Sequence, residues 1–421
     1  MNEQQQKFEV VGGKPLKGVV RVSGAKNATL PIMCAALLTK EKITLHNVPD
    51  IADIRTLLKI FEHLNVKTTF ADNTATIDAS NLSTNKIPED LICSMRASIL
   101  LLGPLLARTG EADLPFPGGC VLGKRSAAAH TMSLNKLGAE ILDETQKLHL
   151  KIRKLRGATI IMPELSVTGT ENALMLASVT PGITEIRLAA AEPHVQDLCH
   201  FLNKMGAKIS GIGSHFLTIE GAGSLHFAEH TITGDYLEAG TFAIAALVTK
   251  GELKIEGIEV TQLDSFWEKL DEAGADYKLE KDSVIIKPTK KLNAITNLRT
   301  AVYPSFATDL QAPMAVLLTQ AEGESRIFET LFDARLSYLF ELEKMGAKIQ
   351  ILNPQQAIVK GPTQLKGVPV ASSDLRAGAA MVLAALCAEG TTEISNVRYI
   401  DRGYENMDQK LTSLGATIKR S

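Results

Sequence analysis

Six stretches of this chain, at about residues 25–38, 94–107, 171–179, 236–249, 310–320 and 375–388, are rich in Ala, Leu and Met, with too few polar positions to leave one face wet. A helix that is apolar on nearly every side belongs in a core, so these six are expected to be buried, with sheets wrapped outside them. A second set of helices is expected to end at Leu64-Asn65-Val66-Lys67, Leu137-Gly138-Ala139-Glu140, Met205-Gly206-Ala207-Lys208, Ala273-Gly274-Ala275-Asp276, Met345-Gly346-Ala347-Lys348 and Leu414-Gly415-Ala416-Thr417. In each, Gly or Asn occupies the left-handed C-cap position, and the residues that follow alternate or carry β-branched side chains, which marks a helix-to-strand switch. Short runs such as Lys42-Ile43-Thr44-Leu45 and Thr392-Glu393-Ile394 read as strands. The switch recurs about every 70 residues, which predicts six units of strand–helix–strand–helix–strand–strand.

Six units divide most naturally into two lobes of three, residues 23–233 and residues 1–22 with 234–421, with a boundary near Thr233-Gly234-Asp235. If residues 8–22 supply a strand to the second lobe, the chain crosses between lobes twice. A length of 421 residues supports this division, since it exceeds what one core organises.

Charge and composition narrow the function. Lys+Arg number 45 against 47 Asp+Glu, and there is one Trp among 5% aromatics, so neither a basic field nor a stacking platform for nucleic acid is expected. The longest apolar runs, 97–107 and 377–388, fall short of the roughly 18 to 20 residues that cross a bilayer, so no membrane span is expected. The polar start Met-Asn-Glu-Gln-Gln-Gln-Lys lacks the apolar region of a signal peptide, and a cytoplasmic protein is expected. Cysteines at 34, 93, 120, 199 and 387 are odd in number and show no C-x-x-C, which argues against a disulfide framework or a zinc site.

Basic residues sit at the starts of three apolar helices, Lys26, Arg96 and Arg376, where the helix dipole disfavours them unless an anion is held there. The equivalent places in the other three hold Glu171, Glu238 and Asp309. Lobes that face each other would gather these ends into a cleft lined by cations for phosphate and carboxylate, with acids for proton transfer. Other motifs are weaker. Gly118-Gly119-Cys120-Val121-Leu122-Gly123-Lys124 has P-loop spacing, but Arg125 replaces the required Ser/Thr. Gly211-Ile212-Gly213 and Gly221-Ala222-Gly223 read as hairpin turns, and Cys199-His200 as core packing. Cys120, in a Gly-rich, Pro-flanked loop beside Lys124 and Arg125, is placed for chemistry as a free thiol.

Taken in order, Ser23-Gly24-Ala25-Lys26-Asn27, Gly118-Gly119-Cys120 with Gly123 and Arg125, Ala307-Thr308-Asp309-Leu310-Gln311-Ala312, Asp374-Leu375-Arg376-Ala377 and Ile400-Asp401-Arg402-Gly403-Tyr404-Glu405 resemble the enolpyruvyl transferases over essentially the whole chain. The resemblance implies an α/β fold of two lobes, an inside-out α/β barrel with three repeats per lobe. It implies transfer of the enolpyruvyl group of phosphoenolpyruvate to the 3-hydroxyl of UDP-N-acetylglucosamine, the first committed step of peptidoglycan precursor synthesis. No metal or organic cofactor is implied, and the protein is expected as a monomer or weak oligomer.

By the same resemblance Cys120 donates a proton to the methylene carbon and Asp309 takes one from the sugar hydroxyl. Lys26, Arg125 and Arg402 hold phosphoenolpyruvate, and Asn27 and Arg96 lie near the sugar nucleotide. Leu331, Arg335 and Arg376 complete the site. The nucleotide contacts depart from the family pattern. Ser126, Ala127, Ala128, Ala129 and His130 replace Pro-Val-Asp-Leu-His, removing an acid that contacts uracil. Glu164 precedes Ser166-Val167-Thr168 where the family often has Lys before Ser-Val-Gly, and Asp333-Ala334-Arg335 replaces Glu-Asn-Arg. A paralogue with another hydroxyl acceptor, and a catalytically silent sugar-nucleotide sensor, remain open as alternatives.

Overall fold

The computed structural model describes residues 6–118 and 126–421, which form two compact units. One comprises 6–23 and 234–421, the other 24–118 and 126–233. In the first, helices Tyr236–Val248, Gln311–Gln320 and Leu375–Cys387 pack against one another. All of Tyr236–Val248 is buried, as its uniformly apolar sequence requires. Around them lie three sheets whose central strands are Glu252–Glu256, Gly323–Phe328 and Thr391–Ser395. Each central strand pairs parallel with one neighbour, Lys17–Arg21, Leu298–Arg299 and Val370–Ala371 respectively, and antiparallel with another. Phe8–Val11 is inserted between Thr391–Ser395 and Thr417–Arg420.

In the second unit, Lys26–Ala35 packs on Pro193–Lys204, and Val167–Val179 packs on both Leu102–Thr109 and Ala128–Lys136. Its three sheets include Glu229–Thr231 parallel to Ile43–His46 and Thr159–Ile161 parallel to Ile183–Arg187. Two strands thus pair away from the helices that follow them in sequence. Lys17–Arg21 precedes Lys26–Ala35 yet pairs with Glu252–Glu256, and Glu229–Thr231 precedes Tyr236–Val248 yet pairs with Ile43–His46.

The expected cap positions all adopt positive φ: Asn65 62°, Gly138 107°, Gly206 110°, Gly274 72°, Gly346 96° and Gly415 97°. This is the left-handed region that Gly enters without a Cβ penalty.

Four local expectations change. The apolar run at 94–107 is not one helix: Glu89–Ser94 stops at an extended Met95, and a 3₁₀ turn Arg96–Leu101 leads into Leu102–Thr109. Ser98 anchors the break, its hydroxyl donating to the carbonyls of Ile92 and Met95. The third apolar helix begins at Val167, because Ser166 caps it by accepting the Gly169 N–H at 3.2 Å. Glu171 is therefore a buried mid-helix residue, and burial, then the charge of Glu192, pushes its carboxyl well above the usual range. Gly221-Ala222-Gly223 leaves Phe216–Glu220 for a strand in another sheet, whereas Gly211-Ile212-Gly213 does turn a hairpin. Gly221 instead lies so close to the Thr180 carbonyl that a Cβ would come within 1.9 Å of it. Cys199 is core, but His200, next on the helix, faces outward.

Candidate active site

Asp309 sits in the 3₁₀ turn Thr308–Leu310 that opens the buried helix Gln311–Gln320. Its carboxylate accepts from Arg335 Nη2 at 2.7 Å through Oδ1 and from Arg376 Nε at 3.0 Å through Oδ2. Burial would raise this carboxyl, but the charges of Arg376 and Arg335 outweigh it and hold Asp309 well below the usual carboxylate range. Arg376 is the second residue of Leu375–Cys387, whose cap Asp374 accepts the backbone N–H groups of Arg376 and Ala377 at 2.8 and 3.0 Å. Two acids thus answer the basic residue at this helix start. The Arg376 guanidinium also lies 5.3 Å from the Tyr404 ring centroid, and the Tyr404 hydroxyl meets Thr241 at 2.9 Å.

The Asp309 carboxylate is thus held between two guanidinium groups. The buried donors Arg335 Nε and Arg376 Nη1 have no acceptor among the described residues, which suits an incoming anion. Glu329, fully buried, ties two loops together: it accepts from Thr308 Oγ1 at 2.8 Å and from the Leu331 N–H at 2.8 Å. Arg402, half-buried, lies in the turn before Met407–Ser413, and its neighbour Asp401 is gripped by Arg420 at 2.7 and 2.8 Å.

In the other unit, Lys26 opens helix Lys26–Ala35 behind Ala25, a residue with no capping side chain. Its ammonium stands 2.6 Å from Asp53 Oδ2. Asn27 follows, half-buried. The Arg96–Leu101 turn packs against this helix, and Arg96 Nη2 lies 3.4 Å from the Ser126 carbonyl. Ser126 Oγ accepts the Ala128 N–H at 3.0 Å at the start of Ala128–Lys136. Ala129 abuts Gly169, where a Cβ would come within 2.9 Å of both the Ala129 Cβ and Ser166 Oγ. Segment 126–129 and the Ser166-Val167-Thr168 turn are therefore neighbours. The Glu164 side chain is exposed, and its carbonyl accepts the Ser166 N–H at 2.8 Å. Behind this turn His130 is buried, its imidazole pushed down to about 3 by burial and then by the charge of Arg96.

The residues singled out in the sequence fall into two sets. Asp309, Leu331, Arg335, Arg376 and Arg402 belong to one unit; Lys26, Asn27, Arg96, Ser126, Ala127, Ala128, Ala129, Glu164, Ser166 and Val167 belong to the other. Cys120 and Arg125 lie outside the described residues, as does most of Gly118 to Lys124. Sequence reasoning missed Asp53 and Glu329. Asp53 reads as an ordinary first-turn acid of Ala52–His63, and nothing local to it announces Lys26. Among the described residues no group of three or more His, Cys, Asp or Glu could hold a metal ion, and no helix is long and apolar enough to cross a membrane.

The EPSP synthase (3-phosphoshikimate 1-carboxyvinyltransferase) family profile matches residues 10–411. The chain is 45% identical over 420 residues, 99% of each sequence, to a UDP-N-acetylglucosamine 1-carboxyvinyltransferase of Methylacidiphilum infernorum. It is likewise 45% identical over 417 residues, 98% of each, to the enzyme of that name from Chlorobium limicola. Among solved structures, the enolpyruvyl transferase NikO from Streptomyces tendae matches with a TM-score of 0.90 at 27% identity over 99% of both chains. EPSP synthase from Acinetobacter baumannii matches with a TM-score of 0.76 at 18% identity, over 99% of this chain and 100% of that one, a likeness of fold alone. The fold is thus that of enolpyruvyl transferases, with mixed α/β content, and the chain belongs to the EPSP synthase family.

Proposed function

We propose that this protein transfers the enolpyruvyl group of phosphoenolpyruvate to the 3-hydroxyl of UDP-N-acetylglucosamine, releasing phosphate. The observation that carries this reading is the 45% identity, over nearly the whole chain, to enzymes named UDP-N-acetylglucosamine 1-carboxyvinyltransferase. In the reaction the methylene carbon gains a proton while the sugar oxygen attacks the adjacent carbon, giving a tetrahedral adduct. That adduct then loses a methyl proton and expels phosphate. An acid, a base and fixed cations are the required apparatus.

In this reading Cys120 supplies the proton, and Lys26, Arg125 and Arg402 hold phosphoenolpyruvate. Asp309 takes the hydroxyl proton, with Arg335 and Arg376 beside it. As it stands, Asp309 is a weak base, because two guanidinium groups stabilise its charge. Binding of an anionic substrate would draw those arginines toward the new charge and return basicity to Asp309 when the acceptor hydroxyl is in place. Asn27, Arg96, Ser126, Ala127, Ala128, Ala129, Glu164, Ser166, Val167 and Leu331 are assigned to the acceptor side. The exposed Glu164 side chain supports its pointing away from the diphosphate.

The fold that accompanies this function is six repeats of about 70 residues, three per lobe, in an inside-out α/β barrel. Three sheets beside buried helices in each unit support it. The protein is taken to act in the cytoplasm as a monomer or weak oligomer. A second reading, a paralogue using another hydroxyl acceptor, is favoured by Ala127, Ala128 and Ala129 where the family holds its uracil-contacting acid.

The deciding experiment is inorganic phosphate release from phosphoenolpyruvate with UDP-N-acetylglucosamine, beside a reaction lacking the acceptor. Acceptor-dependent release is expected. A folded protein that binds phosphoenolpyruvate but releases no phosphate overturns the reading and directs a screen of other sugar nucleotides.

A further inference from the structure

The turn at 400–406, which carries Arg402, is fixed on both sides of that residue. Before it, Asp401 accepts two bonds from Arg420, at 2.7 and 2.8 Å. After it, Tyr404 is buried with its hydroxyl 2.9 Å from that of Thr241, and the Glu405 carboxylate accepts the hydroxyl of Ser23. Ser23 is itself held at every polar atom. Its N–H donates to Glu238 Oε2 at 2.7 Å, and its carbonyl accepts the Asp235 N–H at 2.8 Å. Its hydroxyl oxygen accepts from Lys410 Nζ at 2.7 Å, and the same ammonium donates to Glu238 Oε1 at 2.6 Å. An ammonium only donates, so the serine oxygen must accept there, and its single hydrogen is left for Glu405. The side chains of Glu238 and Lys410 are 3% and 19% exposed, so water competes little for these positions.

We propose that Ser23 is a positioning residue for Arg402: its hydroxyl, aimed by Lys410, fixes Glu405 and with it the turn that presents the guanidinium. This rests on the reading that Arg402 holds phosphoenolpyruvate. The turn needs no distant serine in order to close, because the N–H groups of Gly403 and Tyr404 both donate to the Ile400 carbonyl at 3.0 Å. The bond from Ser23 to Glu405 therefore governs where the turn stands rather than whether it forms. With Asp401 gripped on the near side, release of Glu405 lets the turn pivot and carries Arg402 with it. A cation that stabilises a departing phosphate works through its position, and a misplacement of about 1 Å can cost about a hundredfold in rate.

The test uses the full-length protein. Ser23→Ala cuts the hydroxyl link and keeps the ion pair of Lys410 with Glu238, whereas Ser23→Thr keeps the hydroxyl. Lys410→Met combined with Glu238→Gln removes both buried charges together, stranding neither, and leaves the serine hydrogen unaimed. Thermal melting establishes that each variant is folded, and the double variant carries the same comparison if Ser23→Ala does not fold. Phosphate release gives KM for phosphoenolpyruvate and for UDP-N-acetylglucosamine separately, and calorimetric titration gives phosphoenolpyruvate affinity without turnover. Ser23→Ala is expected to raise KM for phosphoenolpyruvate about tenfold and leave KM for the sugar nucleotide within about twofold. Ser23→Thr is expected to recover most of the loss, and the double variant to share it. In an Arg402→Lys background, Ser23→Ala is expected to add less than about twofold, since residues that act through one group are not additive.

A folded Ser23→Ala with the wild-type KM for phosphoenolpyruvate overturns the proposal and leaves the transferase reading intact. An undiminished effect in the Arg402→Lys background does the same, because the serine would then act through some other group. If the wild type binds phosphoenolpyruvate but turns over no UDP-N-acetylglucosamine, and Ser23→Ala weakens that binding, the transferase reading fails and this one stands. Absence of phosphoenolpyruvate binding by the wild type sinks both.

Discussion

The ammonium of Lys26 stands 2.6 Å from the carboxylate of Asp53, and the two side chains are 11% and 5% exposed. A cation in the first turn of a helix opposes the dipole, and Asp53 supplies the compensating charge while leaving two ammonium hydrogens for another anion. Asp53→Asn removes that charge from a buried pair. It is expected to cost about 3 kcal/mol or more in urea unfolding and to raise KM for phosphoenolpyruvate at least tenfold. Unfolding and phosphate-release curves that overlay those of the wild type would show that the pair is dispensable.

Asp309 makes stability depend on acid in a defined direction. Its folded pKa lies below the unfolded value of about 3.9, so its contribution is complete above that pH and is lost as pH falls toward the folded value. The stability gap between wild type and Asp309→Asn should stay level from pH 7 to 5 and narrow below about pH 4. Urea titrations at each pH measure it. A gap that widens in acid contradicts the ion pairing with Arg335 and Arg376.

His130 acts in a different window. Its folded value is about 3 against about 6.5 unfolded, so between those limits the unfolded chain binds the extra proton and stability is lost as pH is lowered. The slope from this residue approaches about 1.4 kcal/mol per pH unit. In His130→Gln the decline between pH 6.5 and 4.5 should be shallower by about that amount. Parallel declines would mean that the imidazole is not held neutral.

Gly103 marks where Leu102–Thr109 meets Val167–Val179. A Cβ there would stand 2.9 Å from the Asn172 carbonyl oxygen and 3.1 Å from its Oδ1, and the backbone oxygen cannot move aside cheaply. Gly103→Ala is expected to cost about 1–3 kcal/mol. It should also disturb the His130 resonances, because the added Cβ crowds Asn172 Oδ1, and the Asn172 amide lies 2.9 Å from His130 Nδ1. Ala substitution at Gly390, which has open space but φ of 91°, separates this steric effect from backbone strain.

Much of the secondary structure was legible because its causes are local. Ala-, Leu- and Met-rich stretches without a wet face had to be buried, and Gly or Asn at a left-handed cap is dictated by sterics within one turn. At two helices a competing local bond had won. The hydroxyl of Ser98 closed onto Ile92 and Met95 and broke a run that composition alone joined, and Ser166 moved a helix start far enough to bury Glu171.

The basic residues at helix starts were equally visible, but their partners were not. Asp309 is 67 residues from Arg376, and no periodicity links Lys26 to Asp53. The residue types available for chemistry, and the helices that carry them, follow from short-range sterics and patterning along the chain. Which carboxylate each cation meets, and how far Asp309 and His130 are displaced in acidity, were decided only by tertiary structure. Coulomb interactions, desolvation and hydrogen-bond direction depend on distance through space, and residues far apart in sequence set that distance.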